Sequence, residues 1–407
     1  MEPKIRLKGF SGEWKETTIG DISTSFSGGT PSAGVAKYYG GNIPFIRSGE
    51  IAEDKTQLFI TEEGLNSSSA RIVEKGTLLY ALYGATSGEV SISKIDGAIN
   101  QAILAIYPKK GYSPKYLSHY LRAQKDKIVG GLLQGGQGNL SGALVKGVRV
   151  KLPSSFSEQT AIANCFDSID SLIQSTEKKI QSFKQVKTAC LQLMFPQNGE
   201  TTPRVRFKGF EGEWVKVLVG KIGTTYSGLS GKTKEDFGIG NARFVTFLNV
   251  LTNAIIDTSI LEAVNVFEDE HQNEVRKGDL LFNTSSETPE EVGMCAVMDE
   301  DLSNVYLNSF CFGFRVTDEN IDSKYIAHLM RSHIGRRIMS ILAQGATRYN
   351  LSKNSFCKAE LLLPKTKTEQ QQIANYFTSL DSQISLQTQR LEKLKQIKYA
   401  CLDNMFV

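Results

Sequence analysis

Amide, hydroxyl and cationic side chains recur on short glycine-rich stretches of this 407-residue chain, a pattern suited to reading the edge of a ligand rather than transforming it. The first half offers Ser27-Gly-Gly-Thr-Pro-Ser32, Lys37-Tyr-Tyr-Gly-Gly-Asn42 and Gln134-Gly-Gly-Gln-Gly-Asn-Leu-Ser141. Its candidate binding residues are Thr30, Ser32, Lys37, Tyr38, Asn42, Arg47, Gln134, Gln137, Asn139 and Ser141. The second half offers Gly231-Lys-Thr-Lys234, Asn283-Thr-Ser-Ser286 and Gln344-Gly-Ala-Thr-Arg-Tyr-Asn-Leu-Ser352. There the candidates are Lys232, Lys234, Asn283, Thr284, Gln344, Thr347, Arg348, Tyr349 and Asn350. Side-chain amides pair bidentately with adenine edges and Arg or Lys with guanine, while hydroxyls and backbone amides grip phosphates. Any one of these stretches also reads as a surface turn made of good turn residues. Their recurrence at matching places in both halves favours recognition.

Residues for bond-making chemistry do not assemble. Gly231-Lys232-Thr233 resembles the end of a phosphate-binding loop, but Tyr226 stands where that loop needs its first glycine and no aliphatic strand leads in. His119 and His328 occupy equivalent positions and read as structural, and His328 and His333 lie five apart, a spacing that does not share a helical face. Gly84-Ala-Thr-Ser-Gly88 lacks the spacing of a nucleophile elbow. None of the 10 prolines is followed by Pro or Asp, which removes the Pro-Pro signature of amino-methyltransferases and a Pro-Asp nuclease motif. The 6 cysteines form no C-x-x-C pair, and Cys190 and Cys401 sit at matched positions as small core residues.

Positioning such loops falls to a duplicated scaffold. Leu152–Phe195 aligns without a gap to Leu363–Phe406, with about 20 of 44 positions identical, including Glu158-Gln159 and Glu369-Gln370. Apolar residues in the first copy fall at Ile162, Phe166, Ile169, Ile173, Ile180 and Phe183, and in the second at Ile373, Phe377, Leu380, Ile384, Leu391 and Leu394. Steps of three, four and seven make a heptad stripe, so two long helices are expected to pack on each other. Chain order predicts that they run antiparallel and that Val407 returns to the N-terminal domain. Arg6-Leu-Lys-Gly-Phe-Ser-Gly-Glu-Trp14 recurs as Arg206-Phe-Lys-Gly-Phe-Glu-Gly-Glu-Trp214, and this segment reads as structural.

Between these markers, Asn42–Arg47 and Gly76–Ala81 have strand character, and Tyr112–Arg122 predicts a helix with proline in its first turn. Lys277–Phe282 and Lys324–Arg331 repeat the pattern. The expected organisation is α+β: a first domain over 1–151, a helix over 152–196, a linker over 197–203, a second domain over 204–362 and a second helix over 363–407. A net charge of +4 with 22% charged residues permits a local nucleic-acid patch without demanding one. No run is apolar enough for a signal peptide or membrane span, so a reduced, cytoplasmic protein is expected.

Ser27-Gly-Gly-Thr-Pro-Ser32, Tyr38-Tyr-Gly-Gly-Asn-Ile-Pro-Phe-Ile46 and Ile60-Thr-Glu-Glu-Gly64, followed by the duplicated Leu-Pro, Glu-Gln and Ile-Ala helices, resemble the specificity subunit of Type I restriction-modification systems. The second domain departs from the first pattern, carrying Ser227-Gly-Leu-Ser-Gly231. The resemblance implies two target-recognition domains, each reading half of a split double-stranded DNA sequence, with the helices acting as a ruler. It implies no cofactor in this chain. S-adenosylmethionine would belong to two modification subunits docked on the helices, and ATP and magnesium to restriction subunits. Two other readings stand beside it: a self-sufficient enzyme, and a structural adaptor that binds only proteins.

Overall fold

The computed structural model describes residues 3–132, 139–197, 199–345 and 347–406. It divides into two units, Met1–Glu177 with Arg390–Val407 and Lys178–Gln389, each holding one α+β head and a segment of both long helices.

In the first head a four-stranded antiparallel sheet orders Ser23–Ser27, Ile103–Pro108, Leu78–Ala81 and Val90–Ile92. A second sheet orders Phe59–Ile60, Tyr39–Ile46, Gly97–Ile99 and Arg71–Val73. Leu78 and Tyr80 enter the core shared with the helices, whereas Leu79 and Ala81 enter the core under the second sheet. Successive side chains leave a pleated strand on opposite faces, so a strand between two cores must be apolar at every position. That is why this run reads as unbroken Leu-Leu-Tyr-Ala. The second head repeats the four-stranded sheet as Gly223–Ser227, Cys311–Val316, Leu280–Asn283 and Cys295–Val297, but its second sheet has three strands. The expected helices are present as Pro114–Ala123, with Ser113 capping and Pro114 in the first turn, and as Ser323–Arg331, capped by Asp322.

The long helices run unbroken over Phe156–Leu193 and Lys367–Met405. At 1.5 Å per residue each is about 57 Å long. In the first unit Lys398 Nζ lies 2.6 Å from Asp170 and Lys395 Nζ lies 3.6 Å from Glu177. Higher numbers on one helix meet lower numbers on the other, so the segments are antiparallel. In the second unit Lys187 pairs with Asp381, the same pair carried by the other copy, and Cys190 Sγ lies 3.5 Å from Tyr376 Oη. Ile162, Phe166, Ile180, Ile373, Phe377, Leu380 and Leu391 are buried, and Ile169, Ile173, Phe183, Ile384 and Leu394 are half-buried. One matched pair of stripe positions is polar: Thr176, buried between Ile173 and Ile180, donates its hydroxyl to Leu172 O at 2.7 Å, and Gln387, half-buried, takes the same place between Ile384 and Leu391.

Each helix ends inside a head. Phe406 stacks on Phe166 at 5.3 Å and meets Tyr116 and Tyr120 edge-on at 5.5 Å, so the C-terminal segment completes the first core. Val407 itself lies outside the described residues. In the second head Phe195 stacks on Phe377 at 5.7 Å and meets Trp214 edge-on at 6.4 Å. The glycine-tryptophan segments are fastened alike. Arg6 donates two bonds of 2.8 Å to Glu158 and one of 2.7 Å to Gly12 O, and Arg206 does the same to Glu369 and Gly212 O. Gln159 and Gln370 accept from Ser113 N and Asp322 N at 2.9 Å, which accounts for the repeated Glu-Gln. Among the described residues no helix is long and apolar enough to cross a membrane.

Candidate nucleic-acid interface

Strands Ser23–Ser27 and Leu78–Ala81 flank Ile103–Pro108 and run parallel to each other, so their C-terminal ends share one edge of the sheet. Three segments converge there. Gly29 N donates to Ile99 O at 3.2 Å, Leu82 N to Ala102 O at 2.8 Å and Leu140 N to Leu82 O at 3.0 Å. The glycines at 28 and 29 are required by this approach, since a Cβ would stand 1.8 Å from Ile99 O or 2.6 Å from Ser69. The second head forms the same edge: Leu229 N donates to Leu307 O at 2.7 Å, Thr284 N to Phe310 O at 3.0 Å and Leu351 N to Thr284 O at 2.8 Å.

In the first head the edge gathers Thr30, Asn139 and Ser141. Thr30 is exposed and its hydroxyl donates to Gln101 Oε1, while Ser141 caps the helix Gly142–Lys146 by accepting from Leu144 N at 3.2 Å. Asn139 and Ser32 are exposed. Arg47 adjoins the edge through Ile46, whose carbonyl accepts from Asn100 N. Its guanidinium lies on Glu50 at 2.9 Å and reaches Gln57 at 3.1 Å. That contact holds the Glu50 carboxyl down to about 2 and raises Arg47. Lys37, Tyr38 and Asn42 belong to the entry of strand Tyr39–Ile46 in the second sheet. Lys37 pairs with Glu63, and that hydrogen bond raises its ammonium. Gln134 and Gln137 lie outside the described residues.

In the second head the edge carries a hairpin. Gln344 and Asn350 exchange backbone bonds of 3.0 and 2.8 Å, and Tyr349–Asn350 pairs with Ser285–Ser286. Thr347 and Arg348 are exposed on it, and Gly345 adopts φ +139° where a Cβ would stand 2.0 Å from Arg348 O. Asn283 is fully buried and structural in use: it donates to Glu291 O at 2.9 Å and accepts from Met294 N at 2.6 Å, shaping the loop behind the hairpin. Thr284 Oγ1 donates to Phe310 O at 2.7 Å. Lys232 does not join the hairpin. Its side chain is 4% exposed, with the ammonium paired with Glu270 and 5.3 Å from the Phe267 ring, whereas Lys234 is exposed on the next turn.

Residue reading passed over one shared element of this edge, the turns Asn100-Gln-Ala102 and Asn308-Ser-Phe310. The recurring asparagine just before strands Ile103–Pro108 and Cys311–Val316 was the available signal. His119 and His328 lie away from the edge, in the cores. His119 Nε2 lies 2.8 Å from Asp167, and His328 Nε2 lies 3.5 Å from Thr378 Oγ1.

The profile of the Type I restriction modification DNA specificity domain matches residues 11–185 and again 211–396. The MjaIX Type I restriction enzyme specificity subunit of Methanocaldococcus jannaschii is 30% identical over 182 residues, 43% of this chain and 42% of that protein. A Type I restriction enzyme specificity subunit of Escherichia coli is 26% identical over 171 residues, 40% of this chain and 42% of its own length. Both alignments therefore span less than half of these relatives. The fold is similar to the crystal structure of a Type I system S subunit from M. genitalium, with a TM-score of 0.64 at 15% identity over 100% of this chain and 99% of the other.

Proposed function

The chain belongs to the Type I restriction modification DNA specificity family, and from that premise we propose that it is the sequence-reading subunit of such a system, each head binding one half of a bipartite double-stranded DNA target. The observation that carries this reading is the contrast at the sheet edge. The two heads keep the backbone bonds that converge there, yet present unlike side chains at matched positions, Thr30 and Gln101 in one against Ser230 and Ser309 in the other, and the second head adds Gln344, Thr347 and Arg348 on its hairpin. Two scaffolds alike with two surfaces unlike are what reading two different sequences requires.

In this reading Arg348 and the amides of Gln344 and Asn350 contact base edges, while exposed hydroxyls and lysines such as Lys234 hold the phosphate backbone. The helices would set the interval between the half-sites and offer their lysine-, glutamine- and serine-rich outer faces to two modification subunits. Those subunits would carry S-adenosylmethionine, and restriction subunits would carry ATP and magnesium, leaving this chain without a reaction of its own.

The test is methylome sequencing of a host expressing this chain with its modification subunit. The expected result is a split motif with an unread spacer. Arg348→Ala should relax one half of that motif only, at a cost of about 1–3 kcal/mol in binding. Absence of any directed motif, or an unbroken one, overturns the proposal. Equal weakening on every sequence assigns Arg348 to the backbone instead.

A further inference from the structure

We infer that Phe310 is a base-reading side chain of the second head whose ring packs on the C5-methyl group of a thymine in the major groove. The inference rests on the reading of each head as a DNA reader and names a residue that reading left out.

The two heads build the same turn bond for bond. In the first, Asn100 N donates to Ile46 O at 3.3 Å, Asn100 Oδ1 accepts from Ala102 N at 3.2 Å, and Asn100 O accepts from Ile103 N at 3.2 Å. In the second, Asn308 N donates to Val245 O at 3.1 Å, Asn308 Oδ1 accepts from Phe310 N at 2.8 Å, and Asn308 O accepts from Cys311 N at 3.0 Å. The tip carbonyl accepts from Leu82 N in one head and from both Thr284 N and Thr284 Oγ1 in the other. The side chains after the asparagine differ, Gln101 against Ser309 and, at the residue whose carbonyl is held, Ala102 against Phe310. Ala102 is 8% exposed, and Phe310 is 59% exposed.

A single exposed apolar residue is ordinary on a protein surface. Phe310 is set apart by two things. The fold does not need the ring, because the first head closes the same turn with a methyl group, and the second head leaves that phenyl largely in water. Its surroundings are also those of the proposed interface. Thr284, which fixes the Phe310 carbonyl, leads into Ser285–Ser286, and that strand pairs with the hairpin bearing Thr347 and Arg348. Those polar groups match the donors and acceptors of base edges. The one apolar group on the major-groove edge is the thymine methyl, so an exposed apolar ring on a hydrogen-bonded turn beside polar readers is complementary to it.

The experiment uses the full chain in complex with its modification subunit, and duplexes carrying the motif that the wild-type methylome defines. The half-site relaxed by Arg348→Ala marks the second head's sequence. Replacing its thymines one at a time with deoxyuridine removes a methyl group and nothing else. Wild type should lose affinity about fourfold at one position, the size of one buried methyl. Phe310→Ala should abolish that sensitivity and relax the motif at the same position, while Phe310→Tyr, which keeps the ring, should retain it and control for folding. Equal deoxyuridine sensitivity in wild type and Phe310→Ala overturns the assignment. So does a half-site without thymine, or a Phe310→Ala loss shared by all sequences. A wild-type chain that directs no motif overturns the DNA-reading proposal and this assignment together, whereas a failure confined to Phe310 leaves the former standing.

Discussion

Glu158 and Glu369 look like charges on exposed helix starts, yet their side chains are 2% and 3% exposed and each is held by an arginine from the chain's glycine-tryptophan segment. Removing one partner of such a pair strands a buried charge, which is costlier than the pair is worth. Arg6→Ala should therefore destabilise the first unit by about 3 kcal/mol, read as faster amide exchange across residues 14–18 and 149–153 with the second unit unchanged. Burial shifts a second residue. His328, packed 5.3 Å from the Phe377 ring with its Nδ1 unpartnered among the described residues, is pushed down to about 3 by desolvation, helped by Lys187, Arg331 and Lys324. Its folded value lies below the ordinary value of 6.5, so the unfolded chain binds the proton more readily. Its contribution is complete above 6.5 and erodes as pH falls toward 3. Between pH 7 and 5 that erosion is about 2 kcal/mol. His328→Gln should flatten the corresponding loss in urea midpoints relative to wild type, and an unchanged pH slope would count against it. None of this pairing was legible in the residues: the repeats marked Arg6, Glu158 and His328 as matched, but not what each one touches.

At the scale of elements the sequence was more informative, because periodicity reports burial directly. Ile162 to Phe183 and Ile373 to Leu394 spelled out the helices, and Leu78–Ala81 its strand, since each step or unbroken run follows from which faces meet a core. The stripe broke at Thr176, where a polar residue hides its hydroxyl on its own helix and so leaves no apolar mark, and at its counterpart Gln387. The edge loops were legible only as glycine and amide clusters. Which of their side chains face outward depends on hydrogen bonds between segments far apart in the chain: Asn283 and Lys232 both looked like readers, yet Asn283 is a buried brace and Lys232 is held by Glu270. The helix ends carry an element-scale prediction. Phe406 fills an aromatic cluster with Tyr116, Tyr120 and Phe166, and truncating a buried Phe costs about 3–5 kcal/mol. Phe406→Ala should loosen the first unit and Phe195→Ala the second, each seen as lost exchange protection confined to that unit. Loss spread over both units from either change would contradict the division of the cores.

For the whole molecule, the proposal makes helix length a recognition parameter, because neither helix is broken along its 38 or 39 residues and any residue removed must shorten it. Deleting seven residues keeps the heptad register of the stripe, so packing between the helices survives while each loses about 10 Å of rise. The matched deletions are 178–184 and 389–395, which correspond under the 211-residue offset between copies and fall where the chain passes from one unit to the other. About 10 Å is about three base pairs of B-form duplex at 3.4 Å each. Three base pairs also turn the duplex by nearly a third of a revolution, so a rigid pair of helices would face the second half-site at the wrong angle. The ruler therefore predicts one of two results by methylome sequencing: a motif with unaltered half-sites and a spacer shortened by about three base pairs, or loss of modification with each head still binding its own half-site. A deletion variant that assembles and methylates the original motif with its original spacer would show that something other than these helices sets the interval.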